Sequence, residues 1–410
     1  MKRLWTTLLI LLLAVSLAAC SGGGGGGGQQ ASGGDGGSSS PSGSSGAAGE
    51  KPKSYKIGAI YSYTGPGSPL GIPEWNTTEL LVKQINESGG INGVPLEVIL
   101  ADDESKAEKA TAEMNRLIHD EKVLAVLGTT TTGPSLAMKG LAQENEVPLI
   151  SAGASIDIVT PIEESYWVFK TPQNDAMAVE RVFMYLKEAG LTKVGILADS
   201  NAYGQSGVNI MQQMKDAYGI TITANESYNT EDADMKTQLT KINSSGAQAV
   251  IVWGTNPGPA IAAKNMKELG LTIPYIGSHG IANQSFLDLA GDAAEGVVIP
   301  TGKMLFPTQI PQDDPQYEVI KKFYDDYVAA YGSEPTNFGS YGYDNLMLVV
   351  EALKNGATDR KSIRDYLENN IKNWVGATGI FNFSEHDHNG LTADSLVMAE
   401  VKDGKWVYKK

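Results

Sequence analysis

Two short loops carry the side chains best suited to hold a small anion. Gly128-Thr129-Thr130-Thr131-Thr132-Gly133 follows an apolar run and opens into a helical pattern at Pro134. Hydroxyls and free backbone N–H groups there converge on a helix N-terminus, an arrangement that favours an anion such as a carboxylate. The loop lacks the lysine and the spacing of a phosphate-binding P-loop, which argues against nucleotides. The alternative is that the threonines only cap the helix. The second loop, Ser151-Ala152-Gly153-Ala154-Ser155, also follows an apolar run and offers a hydroxyl at Ser155 and an unencumbered backbone at Gly153. Together the loops could grip one carboxylate and a neighbouring polar group. Taken alone, Ser155 reads first as a local turn hydroxyl.

Enzyme constellations are scarce. The imidazoles are His119, His279, His386 and His388, and no Gly-x-Ser-x-Gly elbow occurs; Gly204-Gln205-Ser206-Gly207 has one residue too few. A hydrolytic triad would need His279 with Ser278 or Ser285, and nothing in the flanking pattern recommends it. His386-Asp387-His388 is the cluster closest to a metal-ligand set, but its polar surroundings and the Asn389-Gly390 that follows read as a hairpin turn before a metal site. The carboxylate pairs Asp102-Asp103 and Asp313-Asp314 read as solvated faces rather than acid–base machinery. The expectation is therefore no catalysis, no metal and no cofactor.

Such loops need a scaffold, and the chain supplies one twice. Apolar, β-branched runs at 55–63, 96–101, 123–128, 148–152 and 167–170 alternate with amphipathic stretches near 75–87, 106–119 and 134–144. A second set starts after Pro172, with helices expected over 176–189, 204–218, 235–244 and 257–269 between strands at 193–198, 221–228, 249–254 and 274–278. This is the α/β pattern of parallel sheets covered by helices. Two such sets imply two similar Rossmann-like lobes. Helices at 316–331, 341–354 and 360–368 and strands at 379–383 and 395–408 then return to lobes already begun, so several hinge crossovers should join them. The expected N-terminal lobe covers 55–172 and 300–394, and the C-terminal lobe 173–299 and 395–410. Ligands of open parallel sheets collect beyond the carboxyl ends of the strands, where both loops fall.

The N-terminus has a different task. Lys2 and Arg3 precede an apolar run that ends in Leu17-Ala18-Ala19-Cys20, a signal peptide over 1–20 closing in a lipobox. Its apolar core is short for a membrane span, which takes about 20 residues. Cys20 is the chain's single cysteine, so no intrachain disulfide can form, and its thiol sits where a lipid would be attached. The glycine- and serine-rich stretch over 21–54 reads as a flexible tether to that anchor. A partner in the same membrane would then be met at high effective concentration. The formal net charge of −15 over 410 residues disfavours nucleic acid and anionic lipid surfaces as partners.

Longer stretches carry a resemblance. Ile57 to Pro66 (IGAIYSYTGP), Ile85 to Val98 (INESGGINGVPLEV), Asp102 to Ala110 (DDESKAEKA), Val147 to Ser155 (VPLISAGAS), Ala202 to Gly207 (AYGQSG), Ala290 to Val297 (AGDAAEGV) and Tyr341 to Leu353 (YGYDNLMLVVEAL) follow in an order and spacing similar to the leucine/isoleucine/valine-type periplasmic binding proteins of ABC importers. The resemblance implies the type I fold, a solute held between two closing lobes, and an ABC permease that recognises the closed form. It also implies a monomer, lipid-anchored outside the cytoplasm. Carried over by position, Thr132 and Ser155 would hold the ligand carboxylate and Gly153 would offer a carbonyl. Tyr203 and Thr255 would come from the second lobe, Leu70 and Phe338 would wall the side-chain pocket, and His279 falls in the Gly277–Gly280 loop.

Two positions depart from the amino-acid pattern. His279 stands where amino-acid binders resembling this chain place an acid against the ligand ammonium, and Leu70 stands at an often aromatic position. A buried ammonium without a counter-charge is penalised heavily. The expected ligand is thus a small carboxylate, an amine-free organic or aromatic acid first and a branched-chain amino acid second. A sensing module for a signalling partner would share the fold and the pocket, and a lipid-anchored enzyme is the remote alternative.

Overall fold

The computed structural model describes residues 52–409. The expected signal peptide, Cys20 and most of the expected tether lie outside the described residues. No helix among the described residues is long and apolar enough to cross a membrane.

The first lobe starts with β1 (Tyr55–Tyr61), α1 (Ser68–Glu87), β2 (Leu96–Asp102), α2 (Ala107–His119), β3 (Val126–Gly128), α3 (Thr132–Glu144), β4 (Leu149–Ser151) and β5 (Val168–Lys170). These strands form a parallel sheet in the order β2-β1-β3-β4-β5. The second lobe starts with α4 (Asp175–Glu188), β6 (Lys193–Asp199), α5 (Ala202–Tyr218), β7 (Thr221–Tyr228), α6 (Lys236–Ser244), β8 (Ala249–Trp253), α7 (Gly258–Glu268), β9 (Tyr275–Gly277), α8 (Gln284–Ala290) and β10 (Val298–Thr301). The chain then returns through α9 (Tyr317–Tyr331), α10 (Asn337–Lys354), α11 (Arg360–Asn370), β11 (Trp374–Val375) and β12 (Ile380–Phe381), which pack with the first lobe. A final antiparallel hairpin, β13 (Val397–Lys402) and β14 (Lys405–Lys409), extends the second sheet to the order β14-β13-β10-β9-β8-β6-β7.

Both sheets are covered on two faces, so their strands read as near-continuous apolar runs. Every residue of β8 is buried, and Trp253 at its end is fully enclosed. Three segments cross between the lobes: 171–174, the stretch after Thr301, and the stretch between Phe381 and Val397. The first and third are tied by side-chain amides. Asn174 donates to Asn389 Oδ1 at 2.9 Å, Asn389 donates to Pro172 O at 3.0 Å, and Gln173 donates to Thr378 O and Ser395 O at 3.1 and 3.3 Å.

Several expectations are corrected. α1 begins at Ser68 rather than Trp75, because Pro69 sits in the first turn, where its missing N–H costs nothing. α10 begins at Asn337 rather than Tyr341 and carries Phe338 in its first turn. The stretch at 395–408 is two strands, and α8 and β10 were not foreseen. His388 does not sit in an exposed turn. A tight bridge joins Ser384 and Asp387, and His388 beyond it is buried against Phe169, with Nδ1 2.9 Å from Val168 O and Nε2 3.1 Å from Glu368 Oε2. Among the described residues no group of three acidic, histidine or cysteine side chains is arranged to hold a metal. Asp103 is buried too, accepting from Ser62 Oγ and the Ser105 N–H at 2.7 Å each.

Candidate ligand-binding site

The carboxyl ends of the two sheets face each other across a cavity of about 400 Å³, within the usual range for small-molecule sites. From the first lobe come Leu70 after β1, Ser105 after β2, Thr130 to Pro134 after β3, and Ala152 and Ala154 after β4. From the second come Asn201 to Tyr203 after β6, Thr230 and Glu231 after β7, Thr255 after β8 and His279 after β9. Phe338 and Tyr341 of α10 close the apolar side, with Leu70 and Ala152 in the same small cluster. Leu70, Thr132, Tyr203, Thr255, His279 and Phe338 are therefore brought together around one cavity.

The β3–α3 turn is built so that its side chains leave the helix end open. Gly128 has φ +97°, and a Cβ there would lie 1.9 Å from Ile60 O, so only glycine permits the turn. Thr130 Oγ1 donates to Glu74 Oε2 at 2.6 Å and accepts from the Ser62 N–H at 2.9 Å. Thr131, at the N-cap, makes no side-chain cap. The threonines thus do not close the helix, as the capping alternative required, and the N–H groups of Thr132 and Gly133, both residues of the cavity wall, lie at the favourable end of the helix dipole.

Opposite lies His279, 4 % exposed. Its ring meets Tyr203 and Trp253 edge-on, with centroids 5.7 and 6.0 Å apart. Nδ1 lies 3.2 Å from Tyr203 Oη, while Nε2 is buried without a partner. Burial and the nearby Lys170 charge push the imidazole down to about 3, so it is neutral at neutral pH. Nε2 itself is enclosed by protein atoms, so the ring meets the cavity through its other atoms.

Gly153 and Ser155 are not on the cavity wall. Gly153 is packed behind it, where a Cβ would meet Ile158 Cδ1 at 2.7 Å and Ser135 Oγ at 2.8 Å. Ser155 is fully buried and bonded to Ser206. Wall residues that escaped sequence reasoning include Ser105, Thr230, Glu231 and Tyr341. Glu231 is exposed at the rim and makes no ion pair among the described residues. Its Thr230-Glu231 context is a polar loop after a strand, a position that could have singled it out.

Comparisons with known proteins bear on the fold that carries this cavity. A leucine/isoleucine/valine-binding protein homologue from Brucella abortus is 27 % identical over 304 residues, covering 73 % of this chain and 77 % of the relative. A leucine-, isoleucine-, valine-, threonine- and alanine-binding protein from Pseudomonas aeruginosa is 24 % identical over 334 residues, covering 80 % and 86 %. An extracellular ligand-binding receptor from Rhodopseudomonas palustris superposes with a TM-score of 0.81 at 29 % identity, covering 87 % of this chain and 99 % of the other. The substrate-binding protein of a branched-chain amino acid transporter from Streptococcus pneumoniae, solved with isoleucine, gives 0.76 at 26 % identity, covering 86 % and 98 %. The sequence pattern of the periplasmic binding proteins matches residues 54–405, nearly all of the two-lobed fold around the cavity, and the chain belongs to that family.

Proposed function

We propose that this chain is the lipid-anchored, extracytoplasmic solute receptor of an ABC importer, capturing a small carboxylate between its two lobes. The observation that carries the reading is the cavity itself, with the open N-terminus of α3 on one side and a neutral His279 on the other. The α3 N-terminus and the Thr132 hydroxyl can donate to a carboxylate, and no lysine or arginine lines the cavity. His279 cannot supply the negative charge that an α-ammonium needs, which favours an amine-free aliphatic or aromatic acid. Closure over such a ligand follows from contacts made only when the lobes meet.

A second reading, a branched-chain amino acid, is favoured by Glu231 at the rim and by the names of the relatives. Here the ammonium would reach Glu231 instead of the His279 position. Leucine and 4-methylpentanoate differ only by that ammonium, so they form a matched pair for a thermal-shift and calorimetric test. A probe at 100 times its dissociation constant raises stability by about 2.7 kcal/mol. Binding of 4-methylpentanoate and related acids without leucine supports the first reading. Leucine binding that is lost in Glu231→Gln supports the second, and no binding across both classes overturns the carboxylate assignment.

A further inference from the structure

Beneath the cavity, a chain of hydrogen bonds runs from one lobe to the other. The Asp157 N–H donates to Ser155 Oγ at 3.1 Å, Ser155 Oγ and Ser206 Oγ are 2.7 Å apart, and Ser206 Oγ donates to Asp175 Oδ2. Ser155 follows β4 in the first lobe. Ser206 lies on α5, and Asp175 is the first residue of α4, both in the second lobe. Asp175 Oδ1 reaches back across the boundary to accept the Ile156 N–H at 3.0 Å, and it also accepts the Ala176 N–H at 3.1 Å. Ser155, Ser206 and Asp175 are all buried.

The directions of these bonds are fixed. A carboxylate accepts, so Ser206 gives its proton to Asp175 and must receive one from Ser155. The single hydroxyl proton of Ser155 is then committed to Ser206 and cannot go to a ligand carboxylate, which accepts only. What Ser155 does for the site is done through its backbone. Its N–H donates to Thr132 Oγ1 at 3.4 Å, leaving the Thr132 proton to turn toward the cavity. Asp175 sits where a helix N-terminus favours negative charge, and an ionised acceptor makes the bonds to it stronger than neutral ones.

We propose that Ser155, Ser206 and Asp175 form an interlobe latch that holds the lobes closed over the solute and orients Thr132, with Ser206 and Asp175 as positioning residues that touch no ligand. The latch rests on the reading of the chain as a two-lobed solute receptor. Because its bonds exist only where the lobes meet, losing it should speed the escape of solute without slowing its entry.

The test compares the unaltered chain with Ser206→Ala, Asp175→Asn and Ser206→Thr, using leucine and 4-methylpentanoate as probes in stopped-flow association and dissociation. Ser206→Ala and Asp175→Asn should release the bound probe about tenfold faster, the scale of one lost hydrogen bond to a charged group. Association should stay within about twofold, as expected when affinity changes lie in the off-rate. Ser206→Thr, which keeps the hydroxyl, should restore slow release. Unchanged dissociation in both disabling variants overturns the latch, and so does faster release accompanied by a matching fall in the melting temperature of the unliganded protein. If neither probe binds the unaltered chain, the carboxylate reading has failed, and the latch falls with it as a device of capture.

Discussion

Protonating His279 should cost the folded chain a calculable amount of stability. Its imidazole, ordinarily near 6.5, is pushed down to about 3 by burial first and by the Lys170 charge second. Between those values the unfolded chain binds a proton that the folded chain refuses. The contribution of this residue is therefore fully present above pH 6.5 and is lost as the pH falls toward 3. Linkage at about 1.36 kcal/mol per pH unit gives a loss of about 2 kcal/mol on going from pH 7 to pH 5. Urea unfolding of the unaltered chain and of His279→Gln at both pH values isolates it, because every other titrating group is shared. The unaltered chain should lose about 2 kcal/mol more than the variant, and the His279 resonances should show no titration near pH 6 by NMR. Equal losses in the two proteins would mean that His279 charges freely in the folded state, and a neutral imidazole beside the cavity would have to be abandoned.

Three further outcomes follow from other residues. Thr132→Val removes the hydroxyl at the open end of α3 and should weaken binding of a carboxylate probe about tenfold in calorimetry, while thermal stability moves by less than about 1 kcal/mol. Gly207→Ala places a Cβ 2.2 Å from the Nε1 of the enclosed Trp253 and should destabilise the second lobe by about 1–3 kcal/mol, measured as a lower melting temperature. Lys170, fully buried with Nζ donating to Pro172 O at 2.7 Å, is brought down to about 7 by desolvation. The unfolded chain then binds the extra proton between pH 7 and 10.5, so stability should rise by about 2 kcal/mol from pH 7 to pH 9 in urea unfolding, a gain that Lys170→Met should lack.

The cavity loops were legible because parallel sheets place ligands at strand ends, and strand ends show in the sequence as apolar runs stopping at small or hydroxyl residues. That logic marks the loops of Thr132 and His279, while the roles of the two residues came from the resemblance. Ser206 lies 51 residues from Ser155 in the other lobe, so no local pattern shows the contact between their hydroxyls. Asp103 reads in the sequence as part of a solvated face, and Glu74 carries no signal there. Only the packing of α1 and the β2–α2 turn against the β3–α3 loop encloses them, where Glu74 receives Thr130 and Asp103 receives Ser62.

The sequence by itself determined the two α/β sets, their strand-end loops and the absence of a familiar catalytic spacing, because these follow from local periodicity and turn chemistry. It also marked His279 as unable to mimic an acid, since that depends on residue type alone. The tertiary structure decided which hydroxyls are free. Thr130 and Ser155 are consumed by partners that the fold delivers from elsewhere, the Thr132 proton is left free, and Glu231 arrives at the rim from a loop without a motif. A hydroxyl proton goes to one strong acceptor at a time, and which acceptor that is depends on distances that exist only after the lobes have folded and met.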